Sequence, residues 1–329
     1  PESYPGGRGG SSAVRGYVTD WRGREWLLPY PTQWELEYTA GVPCDSFTFR
    51  CPWEMGGETA PGDWVRFSAR YQGKDMFNGV VDECQVTLDQ GGCQLEISGR
   101  GLAALLLDNE AIGQDYGTAT LADILRDHVT PYGIQTAPGA ALPAVTRFSV
   151  ATGSSEWSVV YDFARYYGGV CPRFDRLGRL VLSGWQDSQE RLVEDGTPVT
   201  TLVRRDRRYG VLSRVLVRDR WSGAVQRVDN GDFLSQGGSA RRVLTMPGRS
   251  NYKTMRYNGQ FQLDRSASEQ ERVELTIAQP FCAWPGDLVS IRRSKWDWNG
   301  RYRVLQSATG MGMEGAWTRL ELALPDFVV

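Results

Sequence analysis

A turn that is written twice constrains this chain more than any other feature. Pro61-Gly62-Asp63-Trp64-Val65 is matched by Pro285-Gly286-Asp287-Leu288-Val289. Each copy runs on through a strand-like stretch and a polar turn to a second landmark, Phe77-Asn78-Gly79 in one and Trp298-Asn299-Gly300 in the other. Both then continue with a strand (Val80-Val81; Tyr302 to Leu305), a glycine turn, and a last alternating strand (Gln94 to Ile97; Thr318 to Leu322). Proline fixes φ and glycine supplies a positive φ, so Pro-Gly-Asp sets a chain up to enter a strand. Two landmarks with matching order predict two related barrel-like β domains, one near each end.

The 329 residues exceed what one hydrophobic core usually serves, and 41% hydrophobic with 23% charged residues is globular composition. Period-two alternation fills residues 14 to 100, as in Trp34-Glu35-Leu36-Glu37-Tyr38 and Trp64 to Tyr71. Tyr71-Gln72-Gly73-Lys74-Asp75 predicts a hairpin turn leading to a strand from Met76 to Val81, and Gly91-Gly92 predicts another turn. Helical patterns are confined to the middle. Leu102 to Leu107 predicts a short buried helix. Thr120, with Asp123 three residues on, predicts a capped helix that Pro131 and Gly133 end. A second helix starts near Ser154 or Ser155, presents Trp157, Val160, Tyr161 and Ala164 on one stripe, and stops at Gly168-Gly169. Strand patterns return after residue 186, with Val211 to Arg218 and Glu271 to Ile277 as clear cases, while 229–252 predicts an exposed loop.

The expected organisation is therefore a flexible arm (1–13), a first β-barrel domain (14–108), an α+β domain (109–185), a β segment with an exposed loop (186–250) and a second β-barrel domain (251–329). The fold class is mainly β with a small α+β insertion. The polar, Gly-rich start and the absence of an 18-residue apolar run predict synthesis in the cytoplasm with no signal peptide and no membrane-spanning segment.

Little in the sequence points to catalysis. A single histidine, His128, argues against histidine-based triads and His-rich metal sites, and its place near a helix C-terminus suits a dipole partner. Neither a nucleophile elbow nor a phosphate-binding loop occurs. A glycosidase needs two carboxylates about 5 to 9.5 Å apart, for which Glu35, Glu37, Asp82 and Glu83 are the weak candidates. No catalytic residue, cofactor or metal site is assigned. The six cysteines lack zinc spacing, and Cys84 and Cys93 are the one pair that a hairpin would bring near each other.

A net charge of −2 gives no general pull toward nucleic acid. Nearly all basic residues are Arg, which fits either protein interfaces or a GC-rich coding sequence. The run Arg204-Arg205-Asp206-Arg207-Arg208 is an interface candidate or a solvated strand edge. The twelve Trp residues divide among core (Trp26, Trp34, Trp64), interface and glycan contact, with Trp296 and Trp298 the exposed candidates.

The order of elements is the specific signal. A β domain ends in Ile97-Ser98-Gly99-Arg100-Gly101-Leu102. A Leu-rich helix and Thr120-Leu121-Ala122-Asp123-Ile124-Leu125 follow, then a Trp157-bearing helix, a hairpin around Gly178 and a C-terminal Pro-Gly-Asp barrel. Over residues 14 to 325 this order resembles the baseplate hub family of contractile-tail phages and related injection particles, departing in its Trp richness and in 229–252. The resemblance implies tube-type barrels and a non-enzymatic homotrimer of pseudo-six-fold symmetry joining a hexameric tail tube to a trimeric spike. It also implies contacts with surrounding baseplate or wedge proteins. The competing expectations are a tail-borne cell-wall glycosidase and a non-assembling carbohydrate-binding protein.

Overall fold

Seven strands build the N-terminal unit because every second side chain is apolar: β1 (Val14–Asp20), β2 (Glu25–Leu27), β3 (Gln33–Thr39), β4 (Ser46–Pro52), β5 (Trp64–Tyr71), β6 (Lys74–Asp89) and β7 (Gly92–Gly101). The computed structural model describes residues 13–40, 45–187 and 189–326. Most of the expected arm, residues 1–12, and Cys44 lie outside the described residues. The strands run β3-β4-β7-β6-β5-β1-β2, antiparallel throughout. Their inward faces meet in one core, so the sheet curls upon itself as a barrel open along one seam. Pro61–Asp63 forms a single tight turn into β5, as its composition requires.

The middle of the chain begins with α1 (Ala104–Leu107), β8 (Gln114–Ala119) and α2 (Leu121–His128). Thr120 and Asp123 form the reciprocal capping box of α2. Next come β9 (Val145–Val150), α3 (Glu156–Gly168), capped by Ser155 and stopped by Gly169 at positive φ, and the hairpin β10 (Arg173–Phe174) and β11 (Leu180–Val181). The chain then enters the C-terminal sheet with β12 (Glu190–Glu194) and β13 (Val199–Asp206) before leaving it again.

That departure is a difference from the sequence reading. The stretch 229–252, expected to include an exposed loop, has a largely exposed connection at 236–240 between α4 (Gly231–Ser235) and β16 (Arg241–Met246), and β16 joins β14 (Arg214–Asp219) and β15 (Val225–Asp229) in a three-stranded sheet with β14 at its centre. It is covered by α5 (Tyr252–Ser268), a long helix in a stretch assigned to the second barrel. Residues of α2, α3, β14, β15 and α5 share one core. The helix escaped notice because its buried face is partly polar. Asn258 donates to the Tyr166 carbonyl (3.2 Å), and Gln262 accepts from Arg165 (2.9 Å) and Arg242 (3.2 Å).

The chain returns through β17 (Glu271–Ile277), β18 (Leu288–Arg292), β19 (Gly300–Gly312) and β20 (Gly315–Ala323). The C-terminal order is β13-β17-β20-β19-β18-β12, which matches β3-β4-β7-β6-β5-β1 strand for strand. Both copies carry a bulge at the same place, Asp82 in β6 and Leu305 in β19. The two copies are joined edge to edge, since β19 beyond its bulge pairs with β3 from Gln306–Thr39 to Met311–Trp34. One continuous sheet therefore spans both units.

Candidate assembly surface

The join shows what this fold does with a free strand edge. The first half of β19 pairs with β18 and its second half with β3, so neither half is bare. Ala40 donates its N–H to the Leu305 carbonyl (2.9 Å), and Gln306 donates through its side chain to Glu37. The matching strand of the first copy is different. β6 pairs with β5 only up to Val80, and among the described residues its second half has no partner on that side. Val86 is 40% and Leu88 68% exposed there, which is unusual for a strand edge facing water. At the far end of the sheet β13 pairs only with β17 among the described residues and presents its other edge.

The arginine run lies on and just beyond β13. Arg204 pairs with Glu271 (3.2 Å) and Arg205 with Glu274 (3.0 Å), both across to β17. Arg204 also lies over the Trp298 ring, 4.8 Å from its centroid. Arg207 is exposed, and Arg208 folds back to the Gln236 carbonyl (3.0 Å) and over Phe233. Trp296 packs against the second barrel's core and meets Trp298 edge-on at 5.0 Å. The structure thus brings Arg204, Trp296 and Trp298 together beside a strand that, among the described residues, is paired on one edge only. One face of the Trp298 ring is taken by the Arg204 guanidinium.

The other candidates are occupied structurally. His128 is buried, with Nδ1 2.5 Å from Glu156 Oε2 and Nε2 3.0 Å from the Tyr116 hydroxyl, and Tyr132 donates to Glu156 (3.0 Å). His128 stands in the last turn of α2, where its sequence position placed it, and is also part of a buried polar network. Asp82 is clamped by Arg100 (2.7 Å), and Glu37 by Gln306. A small cleft lies between Tyr38, Arg176, Trp284 and Asp287. Its acids serve turns: Asp175 accepts from the Leu177 and Arg179 N–H groups, and Asp287 from that of Trp284. Among the described residues no cluster of His, Cys, Asp and Glu has the makings of a metal site, and no helix is long and apolar enough to cross a membrane. Cys84 stands opposite Ile97 and Cys93 opposite Leu88, so the hairpin does not bring these two thiols together, and both are free.

One buried acid is electrostatically distinct. Burial pushes the Asp45 carboxyl up to about 7, although Thr39 donates to it through its N–H (2.8 Å). It stands just before β4, beside the end of β3.

With this arrangement in view, comparison with solved structures is decisive for the fold. A tail protein from Neisseria meningitidis MC58 superposes with a TM-score of 0.76 at 16% identity, covering 97% of this chain and 98% of that one. The chain has the fold of phage tail proteins. The 43 kDa tail protein of prophage MuSo2 from Shewanella oneidensis gives 0.72 at 16% identity, covering 96% and 100%. The E. coli c3393 protein gives 0.57 at 11% identity, covering 90% and 73%; it is described as a type VI secretion component with structural similarity to the T4 tail proteins gp27 and gp5. No family model and no curated protein sequence matches the chain.

Proposed function

We propose that this chain is a structural baseplate hub without catalytic activity. Three copies form a ring of pseudo-six-fold symmetry that seats a hexameric tail tube on one side and a trimeric central spike on the other, among the surrounding baseplate proteins. The observation that carries this reading is the matched pair of six-strand units fused edge to edge in one sheet. A chain built from two near-equivalent units gives six of them in a trimer, which reconciles a six-fold partner with a three-fold one. The likeness to phage tail proteins and to a type VI secretion component supports the same setting. Of the four candidate carboxylates, Asp82 is held by Arg100 and Glu37 by Gln306, while Glu35 and Glu83 lie exposed, and the acids of the cleft at Tyr38 and Trp284 serve turn amides.

Mass measurement by light scattering tests it, on the purified chain alone and mixed with its candidate spike protein. A trimer, formed alone or on adding the spike, is the expected result. A chain that stays monomeric under both conditions overturns the hub reading.

A further inference from the structure

The join inside one chain supplies a template for the contact between chains. The bulges at Asp82 and Leu305 put β6 and β19 in the same phase, so Glu83 corresponds to Gln306 and Leu88 to Met311. The edge strands can be matched through their neighbours. Trp34 pairs with Phe49, which pairs with Ile97; Leu202 pairs with Leu275, which pairs with Leu320. Ile97 adjoins Ser98, the residue opposite Glu83, and Leu320 adjoins Glu321, the residue opposite Gln306. Trp34 therefore corresponds to Leu202, and Thr39 to Arg207.

We infer that the second half of β6 in one copy pairs antiparallel with β13 of the next copy, in the register that β19 and β3 use within the chain. The inference rests on the ring reading above and names the surfaces that close the ring. Transposing Gln306–Thr39 gives Glu83 opposite Arg207, and transposing Met311–Trp34 gives Leu88 opposite Leu202.

The chemistry of those pairs was not used to derive them, and it agrees. Glu83 and Arg207 are exposed and opposite in charge. Leu88, mostly bare in the single chain, meets the half-buried Leu202. A slip of one residue in one direction sets Glu83 against Asp206, and any such slip turns the side chains to the wrong face. The two surfaces differ, so the contact is head-to-tail and each copy uses both, which is how a ring or a filament grows. A second copy is the occupant because both halves of the contact lie on this chain and no other strand is needed.

Disulfide trapping in the whole 329-residue chain tests the register. Ala40 and Leu305 form a hydrogen-bonded pair, so Ala308–Glu37, three steps on, is a non-hydrogen-bonded pair. Its transposed counterpart is Gln85–Arg205, where side chains stand close enough to bridge. The variant Gln85→Cys with Arg205→Cys, in a Cys84→Ser background, is expected to give covalently linked trimers on oxidation with copper phenanthroline. The slipped pair, Gln85→Cys with Asp206→Cys, is expected to link at least about tenfold more slowly. In the unaltered chain, hydrogen exchange at residues 83–88 and 202–207 should slow by about tenfold or more on assembly. A trimer by light scattering that links equally in both registers, or leaves both segments unprotected, overturns this pairing and leaves the hub reading standing. A chain monomeric with and without the spike overturns both.

Discussion

The two barrels share one strand plan and fill it with different matter. In the first, Phe47, Phe49, Phe67 and Phe77 crowd the centre, with Phe47 and Phe67 stacked at 4.1 Å. In the second, Val273, Leu275, Ile277, Val289, Val304, Leu320 and Leu322 do the same work. Glycine is what makes the aromatic version possible. A Cβ at Gly16 would stand 2.7 Å from the Phe49 ring, and one at Gly99 would stand 2.8 Å from the Phe47 ring and 2.0 Å from the Val80 carbonyl oxygen. The residue matching Gly99 is Leu322, since each pairs with the residue just before the bulge, Val81 and Val304. Closure differs too: β1 lies antiparallel to β5, whereas β12 lies parallel to β18. Turns, bulges and strand order define this unit, and core identity is free to drift so long as volume is conserved.

The sharpest way to break that comparison is to place one residue at the matched positions. Gly99→Val drives a side chain into the Val80 carbonyl, which cannot move without shifting the β6 ladder. It should cost more than about 4 kcal/mol, above the usual range for overpacking, or prevent folding. Leu322→Val removes a single methylene and should cost about 1 kcal/mol. Urea midpoints for the two variants decide the matter; similar losses would mean that the cores are not related position by position.

The contrast also explains what was readable beforehand. The turn landmarks and the period-two pattern were visible because they are local: proline, glycine and alternation act within a few residues. Thr120 and Ser155 announced their helices for the same reason. The β3–β19 join was not visible, because alternation says which face of a strand is buried and nothing about which strand lies along its edge. Helix α5 was missed since Asn258 and Gln262 sit where apolar residues were sought. Gly16 and Gly99 gave no sign of making room for aromatic rings. Arg204, Trp296 and Trp298 were each singled out, but their meeting depends on β13 and the residue 293–299 turn converging from distant parts of the chain.

A second difference lies in the first edge connection. Only residues 40–45 separate β3 from β4, with Asp45 just before β4, whereas β13 reaches β17 only after the excursion through β14, β15, β16 and α5. Burial holds the Asp45 carboxyl protonated up to about pH 7 in the folded chain. In the unfolded chain it ionises near 4. Between those values the folded state binds the extra proton, so stability falls as pH rises from about 4 to about 7 and is level beyond. The loss from this one group is at most about 4 kcal/mol. Asp45→Asn should flatten that part of the profile, measured as urea stability at pH 5 and pH 8. An unchanged slope would show that Asp45 titrates normally, and a slope of opposite sign would show that its folded form is the charged one.

The smallest expected effect concerns the edges themselves. β3 is covered by β19, and β13 is bare in the single chain, so equivalent substitutions should be felt differently. The Arg205–Glu274 pair is half-exposed at both ends. Arg205→Ala should therefore lower the stability of the isolated chain by less than about 1 kcal/mol. Glu37, matched to Arg205 by position, accepts a hydrogen bond from Gln306 across the join. Glu37→Ala removes a charge-assisted bond in a covered place and should cost about 1.5 to 3 kcal/mol. Denaturant titration of the two variants under conditions where light scattering finds only monomer gives the ranking. Equal costs would mean that β13 is already as enclosed as β3, and the free edge on which assembly depends would not exist.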